Sequence, residues 1–306
     1  TLSAEMKTFY DMRLIDEASP MLVHEQFGQK RPIPQGGGKT VNFRRFSPLA
    51  KATTALTEGV TPSGSSLSVS SISAIVAQYG DYVVQSDVLE LTAVDNTILE
   101  TTKLLGRQAG LTMDTIVRNA LLLGTNKSYA PKYVADTNGN LVETEVTKTA
   151  DLDTSAKLTV DVVQRVVAKL RAQNAPTIGG DYVCIIHPYV AYDLMRDPEW
   201  IDAHKYATPE NLYTGEIGKM AGVRFVQSTE AKIDKGGSDN PSGLAVFHCL
   251  FIGDGAYGVT EVTGGGLQTI VKQKGSSGTA DPLDQRSSVG WKGLKAAKIL
   301  VDNYLV

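Results

Sequence analysis

The chain has 306 residues, 42% hydrophobic and 21% charged, the composition of a folded protein able to bury most of its apolar surface. Its net charge of −3, with Lys and Arg scattered, gives no long-range attraction to nucleic acid and argues against sequence-specific DNA or RNA binding. No stretch of 18 apolar residues could span a membrane, and residues 1–10 lack the basic flank and apolar run of a signal peptide.

The first residue is Thr1 rather than Met, as in a processed chain or one missing its initiator. Cys184 and Cys249 each lie in an apolar, strand-like run and form no CxxC pair, so they read as buried free thiols in a reducing compartment.

Residues 3–17 read as a helix, with Ser3 as a cap and Met6, Tyr10 and Leu14 as an apolar stripe. Residues 27–34 (FGQKRPIP) hold two prolines and adjacent Lys30 and Arg31, which suits an extended arm. Residues 39–46 have strand composition, and residues 73–86 read as the returning partner. Between them, Ser, Thr, Gly and Pro make up more than half of residues 47–73, and only Lys51 and Glu58 are charged. Leu67 and Val69 alternate in one phase, and Ile72, Ala74 and Val76 in the other, which predicts a bulge near Ser70 and Ser71. The whole reads as a long two-stranded hairpin with a flexible tip. Such a hairpin is marginal alone and needs a surface to lie on, its own domain or a neighbour.

Residues 95–123 form the longest helical pattern, about 43 Å at 1.5 Å per residue, with Asp95 or Asn96 as cap. Asp114 and Arg118 are spaced to form an i,i+4 pair. Gly106 and Gly110 sit four apart on one face; each costs about 1 kcal/mol against Ala, which points to another backbone packing closely there. Residues 133–146 read as a hairpin about Asn138 and Gly139. Residues 160–172 form an amphipathic helix with Val162, Val163, Val166, Val167 and Leu170 inward. Strands are predicted at 181–187, 222–227, 244–252, 267–273 and 294–305, and short helices at 188–196 and 198–206. Without regular strand–helix alternation the fold class is α+β.

The chemical motifs fail on context. Gly253, Gly255 and Gly258 match G-x-G-x-x-G, yet the Val-Thr-Glu-Val-Thr that follows cannot start the helix a pyrophosphate needs, so a turn between strands is expected. Residues 36–40 (GGGKT) resemble the end of a P-loop, but Ile33 stands where the first glycine belongs. His24, His187, His204 and His248 have no metal-ligand spacing; His187 before Pro188 reads as a helix cap and His248 as a strand residue. Asp197 and Glu199 read as a turn and helix start. No G-x-S-x-G elbow or papain-like Cys context occurs. No catalytic, cofactor-binding or metal-binding residue is assigned, and no cofactor.

The order of pieces resembles the major capsid proteins of tailed bacteriophages with the HK97-type fold, in particular the family named after the coliphage N-four capsid protein. The passages that carry the likeness are residues 27–34, 56–62 (LTEGVTP), 78–87 (QYGDYVVQSD), 104–110 (LLGRQAG), 215–225 (GEIGKMAGVRF) and 290–295 (GWKGLK). The resemblance implies an N-terminal arm over 1–35 and an extended hairpin loop over 36–86 that overlies a neighbouring subunit. It implies a peripheral domain over 87–155 and 280–306, with a spine helix, and an axial domain over 156–279. It implies self-assembly into pentamers and hexamers of an icosahedral shell enclosing double-stranded DNA, in the host bacterial cytoplasm. Portal, scaffold or decoration proteins are the implied partners, packaged DNA is contacted only nonspecifically, and no enzymatic activity is expected. Arg44, Arg45, Lys51, Glu58, Gly106 and Gly110 are the candidate subunit-contact residues, with Arg44 and Arg45 in intersubunit ion pairs. Some relatives crosslink subunits through a Lys and an Asn; Lys51 is the candidate Lys here, and no Asn is assignable. A cellular nanocompartment shell of the same fold, or an unrecognised enzyme, are the alternatives.

Overall fold

The fold is that of a computed structural model, which describes residues 4–33, 38–46, 49–61, 63–92, 97–137, 139–204, 218–236, 240, 243–261, 267–276 and 281–306. The first helix, α1 (Ala4–Ala18), buries Leu14 and Ala18 and runs into a 3-10 turn, Ser19–Met21, whose first turn carries Pro20. The Ser3 cap lies outside the described residues.

The next segment departs from the arm expected of it. Residues 22–28 pass through the interior, with His24 and Glu25 buried and Val23 and Phe27 packed on the core. Then β1 (Gln29–Arg31) pairs in parallel with a later strand, β13 (Tyr257–Thr260). Pro32 directly after it does not keep it off the body.

The hairpin is formed by β2 (Thr40–Phe46) and β3 (Val69–Ile75), in continuous register from Thr40 opposite Ile75 to Phe46 opposite Val69. The bulge expected near Ser70 is therefore not there. Val69 and Ile72 differ in phase because Val69 belongs to the outward face and Ile72, Ala74 and Val76 to the inward one. The return strand also ends sooner than expected. After Val76 the chain enters β4 (Ala77–Ser86), which pairs with a C-terminal strand and not with β2. Residues 77–86 thus belong to a sheet of the body, not to the hairpin.

A short helix, α2 (Asp87–Thr92), precedes the long α3 (Thr97–Leu121), 25 residues and about 37 Å. The expected caps Asp95 and Asn96 lie outside the described residues. Strands β5 (Lys132–Ala135) and β6 (Leu141–Thr144) make the predicted hairpin, with Gly139 at φ +82°; Asn138 is outside the described set. Helix α4 (Val160–Ala172) begins at Thr159, whose hydroxyl accepts the Val162 N–H, and buries the five predicted residues. It is followed by β7 (Tyr182–Ile186), α5 (Pro188–Met195) and α6 (Pro198–His204). Then come β8 (Lys219–Met220), β9 (Val223–Gln227) and β10 (Ile233–Asp234). The strand expected over 244–252 is interrupted at His248 and Cys249, giving β11 (Val246–Phe247) and β12 (Leu250–Ile252).

Near the end lie β13, β14 (Leu267–Lys272), β15 (Arg286–Lys295) and β16 (Ala297–Ile299). A strand was expected at 294–305; instead β15 ends at Lys295, and Asp302–Tyr304 is a 3-10 turn.

Two sheets organise the core. In the first, ordered β12-β7-β9-β8, every residue of β7 is buried because both faces are covered. Tyr182, Cys184 and Ile186 face α4, while Val183 and Ile185 join Val117 and Leu121 from the end of α3. The second sheet, ordered β14-β15-β4, packs Leu267, Val289 and Trp291 against α1 and α3. Because β14 sits here, the stretch 267–272 does not separate with the expected 156–279 unit. Helix α3 links both cores, which is why it is long.

Candidate assembly surfaces

The inward face of the hairpin packs Val41, Phe43, Ala74 and Val76 on Ala296, Leu300 and Val301. Only the base is covered in this way. Farther out, Phe46 (60% exposed) opposes Val69, and Leu49, Leu56 (77% exposed), Val60 and Leu67 are bare along the tip. At about 25 cal/mol per Å2 of apolar area, so many bare side chains on one slender element are an unmet driving force for association. The described residues of 49–68 contain neither helix nor strand.

Arg44 and Arg45 are both exposed, and as successive strand residues they point to opposite sides of the hairpin. Arg44 shares the outward face with Phe46, Val69 and Ile75. Lys51 and Glu58 are exposed in the tip, Glu58 in a turn closed by the Val60 N–H donating to the Thr57 carbonyl. The structure thus keeps these four together on one projecting element.

Gly106 and Gly110 are elsewhere, in α3. The backbone that approaches them is the chain's own α1. A Cβ at Gly110 would lie 2.6 Å from the Ala18 carbonyl oxygen, and one at Gly106 would lie 3.0 Å from the Glu17 Cβ. The groove is filled within the subunit.

One surface was not foreseen. The face of the β14-β15-β4 sheet away from α1 and α3 is open. By register it carries Gln268, Ile270 and Lys272 from β14, Arg286, Ser288, Gly290 and Lys292 from β15, and Gly80, Tyr82 and Val84 from β4. Tyr82, Val84 and Ile270 are exposed apolar groups, and Lys272, Arg286 and Lys292 are exposed cations. No carboxylate shares this face among the described residues. The alternation of Arg286, Ser288 and Lys292 with Val289 and Trp291 was the available signal, masked by Gly290 and Gly293.

The polar groups singled out by sequence occupy structural positions. His187 Nδ1 accepts the Tyr189 N–H and so caps α5, as expected. Asp197 accepts the Glu199 N–H and the Val160 N–H, starting α6 and tying it to α4. His248 Nε2 lies 2.6 Å from Asp234, whose pKa is lowered: burial raises it, and the hydrogen bonds from His248 and Lys232 outweigh that. Side chain and surroundings of His204 lie outside the described set. Cys184 is buried and Cys249 half-buried, and desolvation pushes the Cys249 thiol up to about 12, too high for a nucleophile. Gly253 and Gly255 lie in the turn from β12 into β13, with Gly255 at φ +68°, and Gly258 is already in β13. Asp114 does not pair with Arg118. It turns inward to His24, accepting the backbone N–H at 2.7 Å and lying 2.6 Å from Nδ1, while Arg118 reaches Glu230. Among the described residues no three His, Cys, Asp or Glu side chains converge as a metal site, and no helix is long and apolar enough to cross a membrane.

Residues 46–305 match the family model described as phage capsid protein, from the end of β2 through the returning hairpin strand, both sheets and the C-terminal strands. The chain belongs to the phage capsid protein family. It is a shell-forming structural subunit of a phage capsid, with an α+β fold of the HK97 type. Solved capsids share that fold at low identity. The capsid of Ralstonia phage GP4 aligns at TM-score 0.66 and 17% identity, over 89% of this chain and 82% of that one. The cyanophage P-SCSP1u capsid gives 0.62 and 15%, over 91% and 85%. The head of Helicobacter pylori bacteriophage KHP40 gives 0.60 and 14%, over 90% and 84%. No curated protein sequence matches the chain.

Proposed function

We propose that this capsid subunit builds an icosahedral shell of pentamers and hexamers around double-stranded DNA, by laying its hairpin on the open sheet face of the next copy. The observation that carries this is the complementarity of the two surfaces. The match is apolar: the hairpin offers bare Phe46, Leu49, Leu56 and Leu67, the sheet offers Tyr82, Val84 and Ile270, and the charge of Glu58 in the tip is offset by Lys51. The two patches lie on different parts of the subunit, so the contact is heterologous and propagates from copy to copy. The stable shell requires interfaces above roughly 2,000 Å2 per contact.

In this reading the hairpin is residues 38–76, the spine helix and the β14-β15-β4 sheet form the peripheral unit, and the β12-β7-β9-β8 sheet with α4, α5 and α6 forms the axial unit around the symmetry axes. The protein falls with the N-four type of capsid protein, acts without catalysis, and assembles in the host cytoplasm with portal and scaffold proteins made separately. Its mild negative charge keeps contacts with packaged DNA nonspecific and weak.

The test is electron microscopy with light scattering on the purified full chain and on a variant lacking residues 49–68. Shells, tubes or rings from the full chain, and a folded subunit that forms none from the deletion, are the expected results. Normal shells from the deletion would overturn the proposal.

A further inference from the structure

Two buried polar pairs cross the middle of the subunit. His24 and Asp114 are both wholly buried, as described above. Beside them Glu25 Oε2 lies 2.5 Å from Lys295 Nζ, and that ammonium also donates to the Thr260 carbonyl at 2.9 Å. Glu25 and Lys295 are among the most buried side chains of the molecule, at 5% and 1% exposure. Burial lowers the pKa of Lys295, opposed by Glu25. The charged groups facing this centre are Glu25 and Lys30 from the N-terminal segment and Asp114 from α3.

What makes the Glu25–Lys295 pair more than an anchor is its neighbour in sequence. Ala296 exchanges hydrogen bonds with Thr260, its N–H donating to the hydroxyl at 2.8 Å and its carbonyl accepting the Thr260 N–H. Ala296 is also part of the seat under Val41, Phe43, Ala74 and Val76. Phe43 reaches past it to Gly258 of β13, the strand that holds Thr260. The clasp and the hairpin base therefore grip the same few residues from opposite sides.

We infer that Glu25 and Lys295 are positioning residues for assembly: their ion pair fixes the β13–β15 junction and thereby the angle at which the hairpin leaves the body. Apolar contacts under the hairpin are non-directional and tolerate small rotations; Glu25 holds the Lys295 ammonium at short range, and the hydrogen bond from that ammonium to the Thr260 carbonyl supplies the direction. This rests on the hairpin being an assembly element.

The experiment compares the wild-type chain with Glu25→Gln and with the double variant Glu25→Leu plus Lys295→Met, which replaces the pair by apolar groups of similar size and leaves no charge unpaired. Spin labels at Ser71→Cys on the hairpin and Leu104→Cys on α3 report the angle, in a background where the half-buried Cys249 is replaced by Ala and the buried Cys184 is kept. Particle diameters are read by electron microscopy and folding by thermal denaturation. The expected result is a double variant that melts cooperatively, with a broadened or shifted label distance and loss of a single particle diameter. A folded double variant with the wild-type distance and diameter would overturn the inference. Loss of the fold in both variants would overturn it as well, because the pair would then serve folding and not orientation. Wild-type protein that forms no particles, with the distance still shifted in the variant, would refute the assembly reading alone.

Discussion

Phe43 covers Gly258 so closely that a Cβ at that glycine would lie 2.4 Å from the phenyl ring, although the two residues come from the hairpin and from β13. Phe43 is fully buried by this contact, and its pair partner across the hairpin is Ile72. The absence of a side chain at position 258 is therefore what lets the hairpin sit down on the body.

Gly258→Ala should lift that seat. Overpacking of a tight core costs typically about 1–3 kcal/mol, and the ring that the new methyl would meet is fully buried. Lower thermal stability is the expected outcome, together with faster proteolysis in residues 38–76 than elsewhere. A variant that melts like wild type and resists the protease equally would show that the seat adapts.

The two glycines of α3 should behave differently from each other. A methyl at Gly110 meets a backbone carbonyl at 2.6 Å and the Met21 Cβ at 2.9 Å, and neither is the far end of a flexible side chain. At Gly106 the nearest atoms stand at 3.0 and 3.1 Å, so α1 needs to give by only tenths of an ångström. Alanine also favours the helix by about 1 kcal/mol over glycine. Gly110→Ala should thus be clearly destabilising, by about 1–3 kcal/mol, and Gly106→Ala close to neutral. Chemical denaturation of both variants checks the ranking.

How far the sequence disclosed this arrangement depends on where each partner comes from. Helix α4 was legible because Val162, Val163, Val166, Val167 and Leu170 carry the period within thirteen residues. The close backbone at Gly106 and Gly110 was legible too, but not that α1 of the same chain supplies it, since the spacing of glycines says nothing of who fills the groove. His24 and Glu25 looked like parts of a polar arm. They are interior only because Asp114 and Lys295 arrive from distant elements to partner them, and no local pattern encodes that. In the same way β15 hid behind Gly290 and Gly293, and at Gly290 the missing side chain leaves room where Tyr82 packs across the strands. A Cβ at Gly290 would stand 2.7 Å from the Tyr82 Cβ.

Acid sensitivity should have a contribution from Asp81. Its carboxylate accepts the Gln108 amide at 2.6 Å and the Tyr82 N–H at 2.8 Å, and Gln108 in turn accepts the Trp291 indole N–H. The Gln108 hydrogen bond, followed by that of Tyr82, holds its pKa below the ordinary value. A carboxylate with a depressed folded pKa adds stability above the unfolded pKa and loses it as pH falls through the folded one. Melting temperature should therefore fall on acidification below the ordinary aspartate range, and Asp81→Asn should remove part of that slope while costing little near neutrality. An unchanged slope in the variant would assign the acid sensitivity to other carboxylates.

The outward pair of Phe46 and Val69 separates assembly from folding. They face each other across the hairpin, and neither touches the seat formed by Val41, Phe43 and Ala74. Phe46→Ser with Val69→Ser should leave the melting temperature of the dissociated subunit unchanged. Covering two such side chains at a subunit contact contributes about 1.5–3 kcal/mol each, and every 1.4 kcal/mol is about a tenfold change in association. Because each subunit repeats the contact, shell yield should drop by more than about tenfold at equal protein concentration, measured by sedimentation. Full yield from the double variant would mean that the outward face of the hairpin stays in solvent in the shell, and that the contact is made by the tip residues Leu49, Leu56 and Leu67 alone.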